Sequence, residues 1–211
     1  MTNKPILSIG LVGSGFMGKA HVFGFATAQK VFNIPTKLKL HTLADINKQA
    51  AKAAADEFGF TNSTDNWREL VQNPEIDIID ITAPNALHKE MALEAISAGK
   101  HVYCEKPLAP LVSDALEMTN TAEKMGVKTQ VGFNYLCNPM IKLAKEMITA
   151  GELGEIRSYR GIHAEDYMSN AVYDPFKLHM RNGASREGGV PSAFSSILIQ
   201  FFGFIFRKTI N

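Results

Sequence analysis

The sequence contains little cysteine and carries almost no net charge. Its two cysteines, Cys104 and Cys137, lack a C-x-x-C spacing and are too few for a disulfide framework or a cysteine-based zinc site. This cysteine usage favours a reducing compartment, so we expect the protein in the cytoplasm. The formal net charge of the 211 residues is +1, without a dense run of Lys and Arg, which argues against a nucleic-acid partner.

Long apolar stretches are also missing. Residues 6–12 form an apolar run behind a single Lys4, but no small-residue cleavage site of a signal peptide follows. The most apolar window, residues 197–206, is interrupted by Gln200 and Gly203 and is far shorter than the roughly 20 residues that span a bilayer. We therefore expect no membrane segment.

Short apolar runs alternate with longer helical patterns over the first part of the chain. The predicted strands cover residues 7–12, 39–44, 76–82, 101–104 and 128–131, and the predicted helices cover residues 17–29, 48–58, 86–98 and 114–125. Gly59, Gly99 and Gly126 follow predicted helices, where a left-handed residue commonly ends a helix. This alternation predicts an α/β fold with a doubly wound parallel sheet.

The character of the chain changes after Val131. Residues 132–138 are predicted to be a crossing segment, followed by a helix over residues 139–150, a turn over 151–154 and a strand over 156–164. Residues 165–189 have no sustained period and predict a loop. We therefore expect a first domain over residues 1–131 and a second region over residues 132–211.

A glycine motif lies between the first predicted strand and helix. Gly13-Ser14-Gly15-Phe16-Met17-Gly18 matches G-x-G-x-x-G, in the strand-before, helix-after context of a dinucleotide-binding loop. Gly13 allows the turn, Gly15 allows close approach of a pyrophosphate, and Gly18 allows helix–strand packing. Phe16 and Met17 belong to the same predicted cofactor site, at the N–H-rich start of the helix. An ordinary glycine-rich turn is the alternative, which the context disfavours.

Asp45 ends the second predicted strand. A carboxylate there can accept hydrogen bonds from the adenosine ribose hydroxyls and repel a 2′-phosphate, which favours NAD over NADP. The alternative is an Asp that caps the helix from Asn47 onward, and both roles could coexist.

Polar residues follow the next two predicted strands. Thr82-Ala83-Pro84-Asn85 ends one of them, with His88 one helical turn further on, and Glu105-Lys106-Pro107 ends the other. The carboxyl ends of parallel strands are where ligands bind in open α/β folds. Thr82, Pro84, Asn85, His88, Glu105 and Lys106 are therefore predicted to line the cofactor site. A surface charge pair is the alternative for Glu105 and Lys106.

These motifs together resemble the Gfo/Idh/MocA oxidoreductases over about residues 6–164. They occur in the family's order: the glycine motif, Thr82-Ala83-Pro84-Asn85 with His88, Glu105-Lys106-Pro107, Gly132-Phe133-Asn134-Tyr135 with Asn138-Pro139, and Gly151-Glu152-Leu153-Gly154-Glu155-Ile156. The resemblance implies a Rossmann domain that binds NAD(P), followed by a largely antiparallel α+β substrate domain. It also implies hydride transfer with a sugar, polyol or related metabolite, in proteins that are often homo-oligomers.

The resemblance further assigns roles to single residues. Lys106 would contact the substrate near the nicotinamide and is the predicted catalytic residue, and Pro107 would follow a cis peptide. Asn85 and His88 would line the nicotinamide end. Asn134 and Tyr135 would lie near the domain junction, without an assigned chemical step.

The last part of the sequence departs from the family pattern. His163, Glu165 and Asp166 are too few and too mixed to predict a metal site, and no metal is expected. After Gly188-Gly189, family members continue into a helix with an Asp and a His, whereas residues 190–211 contain no Asp, Glu or His. We expect a truncated substrate domain or a shifted reading frame. A dinucleotide-binding module without turnover is therefore the alternative to an active dehydrogenase.

Overall fold

A parallel sheet with helices on both faces forms the first part of the structure, a computed structural model that describes residues 4–158 and 160. Its strands are β1 (Ile6–Val12), β2 (Lys37–Ala44), β3 (Asn62–Thr64), β4 (Ile78–Ile81), β5 (His101–Cys104) and β6 (Thr129–Val131). They form a six-stranded sheet in the order β3-β2-β1-β4-β5-β6, and all pairings are parallel. The predicted Rossmann-type fold is therefore confirmed.

Five helices pack on the sheet through two apolar clusters: α1 (Phe16–Val31), α2 (Lys48–Phe58), α3 (Trp67–Gln72), α4 (His88–Ser97) and α5 (Val112–Met125). A sixth helix, α6 (Pro139–Thr149), comes later in the chain, and 3-10 turns lie at Asn85–Leu87 and Asn134–Cys137. One cluster joins β1 and β2 to α1 and α2. The other joins β4 and β5 to α3, α4 and α5. The strand order reverses between β1 and β4, which is where a doubly wound fold opens its ligand crevice.

Helix ends follow the predicted signals closely. Helix α2 has the predicted bounds because Asn47 caps its start, accepting a hydrogen bond from the Ala50 N–H (2.9 Å), and Gly59 ends it in a left-handed conformation with φ of 82°. Gly99 and Gly126 also have positive φ. Strand β4 is shorter than predicted, and β3 and α3 were not predicted.

The structure divides into two compact units, with the division between Gly132 and Phe133. Within the described part of the second unit, α6 follows the 3-10 turn, and Pro139 opens it as predicted. The strand predicted over 156–164 falls mostly outside the described residues, and the described positions 156–158 and 160 are not in a strand. None of the helices that the structure describes is long and apolar enough to cross a membrane.

Candidate dinucleotide-binding site

The loop between β1 and α1 begins at a glycine where any side chain would be strained. Gly13 has φ of 101°, and a Cβ at this position would lie 2.9 Å from both the carbonyl oxygen and Oγ1 of Thr82. The Thr82 hydroxyl donates to the carbonyl oxygens of Val12 (2.9 Å) and Gly13 (3.0 Å). Thr82, which follows β4, therefore stabilises the loop through these hydrogen bonds.

The other two glycines of the motif have different surroundings. A Cβ on Gly18 would run into the carbonyl oxygen of Gly13, whereas a Cβ on Gly15 would meet no atom within 4 Å. Helix α1 starts after Gly15 without a side-chain cap and without an acidic residue in its first turn. The first N–H groups of α1, from Phe16 and Met17 onward, are therefore available to an anion beside open space, and a diphosphate fits there.

Asp45 holds the loop from the side of β2. Its Oδ2 accepts hydrogen bonds from the backbone N–H (2.9 Å) and the hydroxyl (2.5 Å) of Ser14. The helix cap is Asn47, so the capping role considered for Asp45 is wrong. Oδ1 of Asp45 makes a long contact of 3.5 Å with the Asn47 N–H and keeps capacity to accept from a ribose hydroxyl.

Glu105 and Lys106 follow β5 and do not form the surface charge pair that was the alternative. Glu105 is buried, with 6% of its surface exposed, and its Oε2 accepts from the Lys106 backbone N–H (3.1 Å). The Lys106 side chain is half-buried. The peptide between Lys106 and Pro107 is cis, as the resemblance implied. Lys106 thus lies at the carboxyl end of the sheet, and its contact with a substrate stays a prediction.

His88 lies beneath the site and not on its surface. It is fully buried, and its ring nitrogens lie 2.9 Å from the carbonyl oxygens of Pro107 and Ala83. His88 therefore joins the segments that follow β4 and β5, and a direct contact with nicotinamide stays a prediction. Pro84 is exposed and Asn85 half-buried at the end of β4, so both lie at the predicted edge.

A buried polar cluster lies next to Glu105 and was missed by sequence reasoning. Nδ1 of His21 on α1 lies 2.9 and 3.0 Å from the two carboxylate oxygens of Asp80 on β4. Its Nε2 lies 3.2 Å from Oε1 of Glu105. Burial lowers the pKa of His21, but the two carboxylates outweigh it and raise this pKa to about 9. Burial raises the pKa of Asp80, and the hydrogen bond from His21 opposes that shift.

A sequence signal for this cluster existed in β4. Asp80 stands among isoleucines in a strand that is buried on both faces, and a charged residue is almost never fully buried unless it is paired. That signal predicts a partner, but the partner is 59 positions away in the chain and could not be named from spacing.

The remaining predicted residues contribute less to this geometry. In the second unit, Asn134 Oδ1 accepts from the backbone N–H of the next residue, Tyr135 (2.9 Å), which is a local turn contact. Among the residues that the structure describes, no group of His, Cys, Asp and Glu could hold a metal ion. His163, Glu165 and Asp166, like residues 190–211, lie outside the described residues.

Comparisons with known proteins agree with the fold of the first unit. The family model for Gfo/Idh/MocA, an oxidoreductase family with an NAD-binding Rossmann fold, matches residues 7–133. Levoglucosan dehydrogenase from Pseudarthrobacter phenanthrenivorans is 39% identical over 78% of this chain and 42% of its own length. The inositol 2-dehydrogenase/D-chiro-inositol 3-dehydrogenase of Lactiplantibacillus plantarum is 29% identical over 85% of this chain and 51% of its own length.

A solved structure of levoglucosan dehydrogenase, in complex with NADH and levoglucosan, superposes with a TM-score of 0.88 at 35% identity. The match covers 95% of this chain and 54% of that chain. The present chain thus spans about half the length of the relatives that it matches. From the family match and these likenesses, the chain belongs to the Gfo/Idh/MocA family of oxidoreductases, whose NAD-binding Rossmann fold is the fold of its first unit.

Proposed function

We propose that this chain binds NAD(H) in preference to NADP(H) through the loop between β1 and α1. The observation that carries the proposal is the pairing of an open Gly15 with the Asp45 carboxylate that fixes the same loop at Ser14. The first N–H groups of α1 would hold the diphosphate, and Oδ1 of Asp45 would accept a hydrogen bond from the adenosine ribose. A 2′-phosphate would bring a second negative charge to that carboxylate, which disfavours NADP(H).

The reaction that this site serves is hydride transfer with a sugar or polyol. When bound, the nicotinamide ring supplies or accepts the hydride. Among the described residues, no hydrogen bond or ion pair occupies the Lys106 ammonium, so it is free to hold a substrate hydroxyl and to help move its proton. Support for this substrate class comes from the levoglucosan and inositol dehydrogenases, which act on an anhydrosugar and on cyclic polyols.

A second candidate is a dinucleotide-binding module without turnover. The observation that favours it is the composition of residues 190–211, which contain no Asp, Glu or His to act as the acid or base. A positioned acid or base typically contributes about 10² to 10⁴ in rate, so we expect this chain by itself to bind NADH without the turnover of a dehydrogenase.

Absorbance of the reduced cofactor separates the two candidates. The chain is incubated with NAD and a panel of sugars, anhydrosugars and inositols. NADH formation supports the dehydrogenase, and Lys106→Ala should then lower kcat far more than cofactor affinity. An unchanged rate in Lys106→Ala would remove Lys106 from the catalytic residues. NADH binding without NADH formation supports the second candidate.

Location and assembly also belong to this proposal. Cys104 and Cys137 are free thiols, which supports a reducing compartment such as the cytoplasm. Association into homo-oligomers rests on the family alone, and sedimentation of the purified chain tests it.

A further inference from the structure

The cluster of Asp80, His21 and Glu105 takes no part in the diphosphate and ribose contacts proposed for the loop between β1 and α1. Its three members come from β4, α1 and the end of β5, and their exposed surfaces are 0%, 8% and 6%. Ionisable groups are expensive to bury unless they are paired and hydrogen-bonded. Because burial of these groups is costly and Glu105 bonds the backbone of Lys106, we expect the cluster to have a role in the site.

The hydrogen-bond geometry sets the protonation of His21. Both oxygens of Asp80 lie at hydrogen-bond distance from the same ring nitrogen, Nδ1, which places one N–H between two accepting carboxylate oxygens. The other ring nitrogen faces a second carboxylate, that of Glu105. Ionised carboxylates only accept, so the ring fills both contacts when each nitrogen carries a proton.

Two aromatic rings lie beside the imidazole. Tyr103 stacks on His21 with a centroid distance of 4.7 Å and an interplanar angle of 14°. Phe25 meets it edge-on at 6.5 Å. A cation on an aromatic face is stabilised in such surroundings, and the rings exclude water from the two charge-assisted hydrogen bonds.

Glu105 is fixed by three neighbours. His21 contacts its Oε1, the Lys106 backbone N–H donates to its Oε2 (3.1 Å), and a Cβ on Gly132 would lie 2.5 Å from Oε1. Oε1 therefore occupies space that any side chain at position 132 would need. A move of the carboxylate away from this position would break its bonds to His21 and Lys106.

His21 lies in the second turn of α1, the helix whose first N–H groups face the diphosphate position. We propose that His21 is a positioning residue that fixes the Lys106 backbone, through Glu105, relative to the start of α1. The cluster thereby joins the phosphate end of the dinucleotide site to its substrate end. This part of the inference rests on the proposed function, which assigns the phosphate end and the substrate end of the site.

Loss of the His21 proton would leave Asp80 and Glu105 as two buried carboxylates without a cation between them. Among the residues that the structure describes, the other titratable groups beside the cluster are Tyr103, which stacks on His21, and Cys104. The pKa of the Cys104 thiol is raised to about 12 by burial and then by the two carboxylates, so the thiol stays neutral over the His21 titration. Repulsion between the carboxylates would then free the Glu105–Lys106 segment.

Two measurements on the chain without cofactor test the inference. In nitrogen-15 NMR spectra of histidine-labelled chain, the His21 signals, assigned by their loss in His21→Gln, should show both ring nitrogens protonated at pH 7. Hydrogen exchange at the Lys106 amide, corrected for intrinsic rates, should accelerate as the pH rises through the His21 titration. A neutral His21 at pH 7, or a corrected exchange rate at Lys106 that does not change through this titration, would overturn the inference.

Variants extend the test with a matched control. His21→Gln should accelerate Lys106 exchange by about tenfold or more, as expected for loss of a charge-assisted hydrogen bond, while amides of β2 keep their protection. His41→Gln removes another buried histidine, paired with Glu75 (3.0 Å), and should leave Lys106 unchanged. Equal acceleration in both variants, or in neither, would contradict a positioning role.

The coupling between NADH binding and the Lys106 backbone is measured in a separate experiment. Saturating NADH should slow Lys106 exchange in the native chain and have a smaller effect in His21→Gln. An equal effect in the two proteins would overturn the coupling. Failure of the native chain to bind NADH would instead overturn the proposed function, while the protonation of His21 and the exchange at Lys106 would still stand.

Discussion

At the scale of single residues, Asp45 stabilises the loop between β1 and α1 without a bound cofactor. Its Oδ2 is occupied by both donors of Ser14, while Oδ1 has only a long backbone contact. One carboxylate oxygen thus shapes the loop and the other is left to select the ligand. The contacts of Oδ2 with Ser14 are observed, and we propose the choice of nucleotide as the second role of this carboxylate.

We expect Asp45→Ala to narrow the preference for NADH over NADPH by about tenfold or more, since a like-charge contact costs several kcal/mol and about 1.4 kcal/mol corresponds to a factor of ten. Affinity for both nucleotides should also fall, because Ser14 loses its acceptor. Isothermal titration of each nucleotide against each protein gives the ratio.

Ser14→Ala is the matched control for this substitution. It removes the hydroxyl donor but keeps the Asp45 carboxylate and the backbone N–H, so the preference for NADH should persist. If the native chain bound NADPH as tightly as NADH, the role of Asp45 in nucleotide choice would be refuted.

Sequence reasoning reached residues whose function follows from local spacing and missed those whose function comes from tertiary contact. The glycine motif and Asp45 are recognised because the strand, turn and helix around them are local. His21 sits within a helical pattern and looks like an ordinary packing position. Its importance appears only when β4 and the end of β5 bring Asp80 and Glu105 to its ring.

At the scale of elements, substitutions at Gly15 before α1 and at Gly18 within it separate effects on folding from effects on binding. Gly18→Ala forces a Cβ into the Gly13 carbonyl and should lower the unfolding free energy, by about 1–3 kcal/mol for overpacking of this kind. Gly15→Ala meets nothing in the free chain and should leave stability within about 0.5 kcal/mol. Its methyl group would, however, occupy the space of the diphosphate and reduce NADH affinity.

Gly24→Ala is the control, because Gly24 also has open space and lies in α1 away from the loop. This variant should bind NADH normally and gain up to about 1 kcal/mol from helix propensity. Urea unfolding and NADH fluorescence are measured on all variants. Normal NADH binding by Gly15→Ala would place the diphosphate elsewhere.

Elements with their own end signals could be predicted from the sequence, and elements without them could not. Helix α2 carries a cap at each end, and its bounds were predicted to the residue. Strand β3 is only Asn62–Thr64, three polar residues on the sheet edge with no apolar alternation. Its place comes from pairing with β2, a contact that no local pattern records.

At the scale of the whole molecule, the His21 cluster links stability to pH. The pKa of His21 rises from 6.5 to about 9 on folding, so the folded chain binds the imidazole proton more tightly than the unfolded chain. The resulting stability is fully present below about pH 6.5 and is lost as the pH rises through 9. Urea unfolding at pH 6.5, 8 and 9.5 should therefore show a decline in the native chain that is reduced in His21→Gln and retained in His41→Gln. The same decline in all three proteins would assign it to other groups.

The most direct test of the dinucleotide site is a fluorescence titration of the 211-residue chain with NADH, run in parallel on Gly15→Ala. Saturable binding of about one NADH per chain is expected, as for a single Rossmann site, with a large loss of affinity in Gly15→Ala. Absence of saturable binding by the native chain up to about 1 mM NADH, which corresponds to an affinity weaker than about 4 kcal/mol, would contradict the assignment of this site.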